Sequence, residues 1–110
     1  MTAQILTEIA DGVMTICFNR PDKRNALNTE MYRMAAEAVR AAQSDRNVRV
    51  IVFTGAGEAF TAGNDLKDFI ENPPATADAP VFKFMGAMCD VTKPVIAAVN
   101  GLAIGIGVTI

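Results

Sequence analysis

Histidine is absent from all 110 residues, which removes the base that most often activates a serine or cysteine nucleophile and the commonest metal ligand. Only two cysteines occur, Cys17 and Cys89, far apart and in largely apolar surroundings. They are expected to be buried free thiols in a reducing compartment rather than a disulfide, and no zinc-type spacing is present. Charge is scattered: 10 basic and 12 acidic residues give a net charge of −2, which argues against a nucleic-acid surface or a polybasic membrane patch. The N-terminal stretch MTAQILTEIADGVMTICF has no basic segment followed by a long apolar run, and nothing reaches the roughly 20 apolar residues of a bilayer crossing. Together these absences predict a cytoplasmic or matrix-type protein.

What is present is apolar. Hydrophobic residues make up 51% of the sequence, enough for one small folding unit to bury a core. The most apolar stretch, KPVIAAVNGLAIGIGVTI, is also the last. A sequence that stops inside such a stretch is expected to be part of a longer one, because surface termini are usually polar.

ILTEIADGVMTICFNRP reads as two strands joined by a tight turn at Asp11-Gly12, with Met14, Ile16 and Phe18 on one face of the second and Val13, Thr15 and Cys17 on the other. Pro21 ends the second strand, and DKRNALN follows as a polar connection. Asn28 or Thr29 can cap a helix running to about Ser44, whose stripe of Met31, Met34, Ala35, Ala38, Val39 and Ala42 has helical spacing. VRVIVFTG predicts a strand covered on both faces, so a parallel strand, helix, strand unit results. Further along, the pattern predicts a short helix from Asp65 to about Glu71, a proline-rich surface loop over NPPATADAP and a second amphipathic helix over VFKFMGAMCDV. VIAAVN is expected as a buried strand, and GLAIGIG as a turn opening another helix.

Residues 60–66 and 100–107 thus share one order: strand, glycine-containing turn, helix start. A helix N-terminus leaves N–H donors unpaired and carries about half a positive charge, so each turn can hold a negatively polarised oxygen. Two such turns facing one point would make an oxyanion hole, and losing one donor from such a site costs about 3 kcal/mol of transition-state stabilisation. For either turn taken singly, spacing alone favours a plainer role, the relief of steric strain in tight turns. GIG is not a nucleotide loop, since it lacks the lysine and hydroxyl of a P-loop and the full dinucleotide fingerprint.

NRPDKRNALN, VIVFTGAGEAFTAGNDLKDF and KPVIAAVNGLAIGIG, in this order, resemble the N-terminal half of the crotonase superfamily, the enoyl-CoA hydratase/isomerase family. The resemblance covers nearly the whole chain. It implies that residues 1–110 are a partial crotonase-like domain, truncated at its C-terminal end, of α/β class. Its expected architecture is a ββα spiral with two roughly perpendicular sheets flanked by helices. An acyl-CoA substrate is implied, with coenzyme A entering as part of that substrate, no prosthetic group and no metal, and a homo-trimer or hexamer as the assembly. In the family two backbone N–H groups hold the thioester oxygen while an enolate-like anion forms. By the motif these fall on Asn64 in AGND and Ile106 in GIG, with Gly63, Gly105 and Gly107 leaving room for the substrate. The resemblance also sets Arg24, Ala26, Ala62, Gly63, Asn64, Asp65, Leu66 and Lys67 along the coenzyme A path. Lys23 and Lys67 are candidate phosphate partners or ordinary solvated lysines.

Thr109 stands where hydratases of the family carry a glutamate. Hydration needs one group for the water and another for the α-proton, so a threonine leaves one role unfilled. The two turns are closer to those of Δ3,Δ2-enoyl-CoA isomerases, which move one proton between C2 and C4 with a single base. That base is expected beyond residue 110. Asp65 reads as a helix cap, and Glu58, Asp68 and Glu71 as members of solvated faces. The alternatives are an enoyl-CoA hydratase and a non-catalytic acyl-CoA-binding protein. The 110 residues alone are expected to be inactive and prone to self-association.

Overall fold

The computed structural model describes residues 3–104. Strands β1 (Ile5–Ala10) and β2 (Val13–Phe18) pair antiparallel, Ala10 opposite Val13. Between them Asp11 and Gly12 have φ of 53° and 81°. Positive φ at both central residues is the hairpin turn whose twist matches that of the strands, as the Asp-Gly pair predicts. Alternation in β2 buries Met14, Ile16 and Phe18 and leaves Val13, Thr15 and Cys17 half-buried.

Helix α1 (Thr29–Ser44) starts where Asn28 Oδ1 accepts the Met31 N–H at 2.8 Å. The predicted stripe is buried at Met31, Ala35, Ala38, Val39 and Ala42 and half-buried at Met34, while Tyr32 and Ala36 widen it. Strand β3 (Val50–Gly55) returns parallel to β2, Val13 opposite Val50. Strand β4 (Ala59–Thr61), helices α2 (Leu66–Glu71) and α3 (Pro80–Asp90), and strands β5 (Val95–Ala97) and β6 (Leu102–Ala103) follow. One sheet has the order β1-β2-β3-β5, and β4 and β6 form a second, parallel pair. Phe18 joins the layers, its ring 5.9 Å from Phe53 and 5.4 Å from Phe60 between centroids. All three rings are fully buried, each worth about 1.5–3 kcal/mol of transfer free energy.

Some expectations change. VIAAVN contributes only the short β5, in which Ile96 and Ala97 are exposed and Val95 is half-buried. Leu102 and Ala103 are not a turn: β4 draws them into a parallel pair, and the Ile104 N–H donates to Thr61 O at 3.0 Å. The rest of GLAIGIG, from Gly105, lies outside the described residues. Both thiols are free but not fully buried. Cys17 is half-buried, which pushes its thiol pKa up, and the helical period turns Cys89 away from buried Phe84 and Ala87 to the exposed side of α3.

A buried polar side chain ties the connections together. Asn25, fully buried at φ 58°, donates from Nδ2 to Ala56 O (2.9 Å) and Ala59 O (2.8 Å). Its Oδ1 accepts the Arg20 N–H at 2.8 Å, and its main-chain oxygen accepts the Thr61 hydroxyl at 2.7 Å. Asn25→Ala leaves Ala56 O and the Arg20 N–H without their partner and Ala59 O with Asn100 alone, and is expected to lower the unfolding free energy by about 3 kcal/mol. Asn28→Ala, which removes a helix cap and one bond to Gln4 Oε1 at 3.0 Å, is expected to cost about 1 kcal/mol. Denaturant unfolding compares the two, and equal losses would show that Asn25 counts for no more than a cap.

Candidate functional site

The turn of residues 62–65 joins β4 to α2, and its main chain is held from both sides. Fully buried Thr61 accepts the Gly63 N–H on its hydroxyl at 3.1 Å. Gly63 has φ 87°, a conformation that side chains rarely adopt. The Ala62 N–H donates to Arg24 O at 2.9 Å. The Leu27 N–H donates to Gly63 O (2.7 Å) and the Asp65 N–H to Leu27 O (2.8 Å), making a parallel bridge between Leu27 and Asn64. In such a bridge the residue between the two bonded peptides turns its own N–H the other way. Among the described residues the Asn64 N–H is accordingly the one amide of 62–65 with no acceptor.

The carboxylates nearby are occupied. Asp65 caps α2, its Oδ1 accepting the Asp68 N–H at 3.1 Å, and its Oδ2 accepts from Arg20 Nη1 at 2.6 Å. The Arg20 bond, with the Asp68 N–H second, holds this carboxyl below the usual carboxylate range. Asp68 is half-buried rather than solvated: Oδ2 accepts the Thr29 N–H at 2.7 Å and the Thr29 hydroxyl at 2.6 Å, so α2 covers the positive end of α1. Glu58 and Glu71 are exposed, as expected.

Of the predicted coenzyme A path, Arg24 and Ala26 run beside Ala62, Gly63, Asn64 and Asp65 through the Arg24–Ala62 and Leu27–Asn64 contacts. Leu66 and Lys67 continue onto α2 with exposed side chains, and Lys23 is also exposed. A cavity of about 250 Å³ opens beside Asn64, between α1, α2 and the segment 72–81, lined by Leu27, Tyr32, Phe69, Pro74 and Val81 among others. Among the described residues no three His, Cys, Asp or Glu side chains gather as a metal site would require, and no helix is long and apolar enough to cross a membrane.

The second turn is partly described. Asn100 donates from Nδ2 to Gly57 O (3.0 Å) and Ala59 O (3.2 Å) and accepts the Gly55 N–H (3.1 Å). A Cβ on Gly101 would stand 2.0 Å from Glu58 O, so only glycine fits there. Ile106, with Gly105, Gly107 and Thr109, lies outside the described residues. Asn25, Thr61, Arg20 and Tyr32 are site-building residues that the sequence reading missed. Each has at least one partner remote in sequence, beside local bonds such as Arg20 to Asn25 and Thr61 to Gly63, and Tyr32 lies one residue off the stripe of α1.

Tyr32 donates its hydroxyl to Asn64 Oδ1, and burial pushes its pKa from 10 to about 12. It is the single tyrosine in a sequence without tryptophan, so phenolate absorbance reports this position alone. The absorbance midpoint is expected near 12. Since the folded pKa is raised, the associated stability is fully present below pH 10 and is lost as pH climbs from 10 to about 12. A midpoint of 10 with native circular dichroism would place the ring in water.

The sequence family described as enoyl-CoA hydratase/isomerase matches residues 8–110. Human enoyl-CoA delta isomerase 2 is 42% identical over 107 residues, 91% of this chain and 27% of that protein. The structure of Pseudomonas aeruginosa OdaA superposes with a TM-score of 0.93 at 49% identity, over 98% of this chain and 44% of its own. An enoyl-CoA hydratase of Mycobacterium marinum does so with a TM-score of 0.88 at 33% identity, over 97% of this chain and 53% of its own. The chain thus spans between about a quarter and a half of the proteins it matches. A mixed α/β fold shared with these structures, and a family match over nearly every residue, show that the chain belongs to the enoyl-CoA hydratase/isomerase family of the crotonase superfamily.

Proposed function

We propose that the whole protein is an acyl-CoA-processing enzyme, a Δ3,Δ2-enoyl-CoA isomerase, in which the Asn64 N–H is one of two amides that hold the thioester oxygen. The observation that carries this reading is the unpaired Asn64 amide beside a largely apolar cavity, in a turn whose other amides are all bonded. A base removes a proton from C2 of the 3-enoyl thioester, the electron pair delocalises onto the thioester oxygen as a dienolate, and the proton returns at C4. Charge develops on that oxygen, so a donor already fixed in place stabilises the transition state without reorganising.

Ile106 is the proposed second donor. Thr61 and Ala103 lie opposite each other in parallel strands, and Asn64 and Ile106 each follow that pair by three positions in the sequence (61 to 64, 103 to 106), which supports an equivalent role. Arg24, Ala26 and residues 62–67 are proposed to line the coenzyme A portion of the substrate, with Lys23 and Lys67 toward its phosphates. The base is proposed to come from beyond residue 110, since Asp65 and Asp68 are engaged in structural bonds. A trimeric or hexameric assembly belongs to the same proposal.

Incubating the whole protein with a 3-enoyl-CoA is expected to yield 2-enoyl-CoA, and 3-hydroxyacyl-CoA alone would point to a hydratase. Asn64→Pro deletes an N–H that serves no bond among the described residues together with the side-chain oxygen bonded by Tyr32, and kcat is expected to fall about 100- to 1000-fold, further than in Asn64→Ala, which loses the side chain alone. An unchanged kcat in a folded Asn64→Pro protein would remove Asn64 from the oxyanion role.

A further inference from the structure

We propose that Tyr32 is a positioning residue that fixes the Asn64 amide; the inference rests on the oxyanion role given to that amide above. The Asn64 N–H shares its peptide unit with Gly63 O, which accepts the Leu27 N–H at 2.7 Å, and the peptide that follows is held by the Asp65 N–H on Leu27 O at 2.8 Å. Asn64 itself is exposed, and its own tether is the bond from the Tyr32 hydroxyl to Oδ1. That hydroxyl is set by the core. Tyr32 is 5% exposed, and its ring stands 5.8 Å from Phe84, which meets Phe53 of β3 edge-on at 6.1 Å. A chain of packed rings therefore runs from the sheet to the donor residue. Hydrogen bonds weaken steeply as the donor angle departs from linear, so an amide free to rock about its two neighbours would serve a developing oxyanion less well than one also anchored by its side chain.

The alternative is that Tyr32 merely packs. Tyr32→Phe separates the two, because it keeps the ring against Phe84 and deletes only the hydroxyl, while the released Asn64 oxygen is in reach of water and carries no burial penalty. In the whole protein, with a 3-enoyl-CoA as substrate, Tyr32→Phe is expected to lower kcat about tenfold with KM changed less than about twofold and the unfolding temperature held. Asn64→Ala cuts the tether from its other end and is expected to do the same, and the double variant to lose no more than the worse single, since both remove one interaction. Wild-type kcat in Tyr32→Phe, or additive losses in the double variant, overturns the positioning role. Where Asn64→Pro still abolishes turnover, that result leaves the oxyanion reading standing. Wild-type kcat in Asn64→Pro overturns both.

Discussion

The side-chain amide of Asn25 occupies the point where three lengths of main chain meet, and the rest of the site is laid out from it. A buried carboxamide must find partners for its donors and acceptor or forfeit about 1–3 kcal/mol for each group left bare. Here Arg20, Ala56 and Ala59 satisfy it together, so the connection after β2 and the turn before β4 have one mutual placement. Asn100 grips the same turn from the other side, and Ala59 O receives a donor from each asparagine. Between them the chain can close only on glycine: a Cβ on Gly55 would stand 2.5 Å from both Ala59 O and Phe60 O.

From this clamp the donor turn follows in steps. Asn25 O fixes the Thr61 hydroxyl, Thr61 fixes the Gly63 N–H, and Gly63 and Asp65 bind Leu27. The next amide is left over by the geometry of a bridge, which can use only alternate peptides. The Asn64 N–H is thus unpaired because its neighbours are paired, and its rigidity is borrowed from theirs. Pairing of β4 with β6 then brings Ala103 and Ile104 against Thr61, although α2, α3 and β5 intervene in the chain.

Local chemistry made much of the fold legible before any coordinates. Asp11-Gly12 specifies its turn through positive φ, Asn28 specifies a helix start through its side-chain oxygen, and the stripe of α1 follows the helical period, because each signal lies within a few residues of its effect. The strands β4 and β6 were not legible: they are too short for alternation to show, and they exist through each other. Asp68 was misjudged for the same reason, its partner Thr29 being in another helix. Within the candidate site, the motif assigns roles to the glycines and Asn64, whereas Asn25, Thr61 and Tyr32 act mainly through contacts between segments far apart in the sequence.

The arrangement also divides labour in a way the composition anticipates. Proton abstraction next to a thioester calls for a base whose pKa lies near the working pH. Asp65 is the carboxylate next to Asn64 in the chain, yet Arg20 and the Asp68 N–H stabilise its charged form and make it a weaker base than a free carboxylate. Asp68 gives both lone-pair directions of one oxygen to Thr29. The acids of this region therefore hold the amides in place, which agrees with the proposal that this turn contributes an N–H donor and not the base. In the proposed reaction a carboxylate on a separate segment would keep its basicity, because no structural bond in this turn would have to be surrendered when it takes the proton.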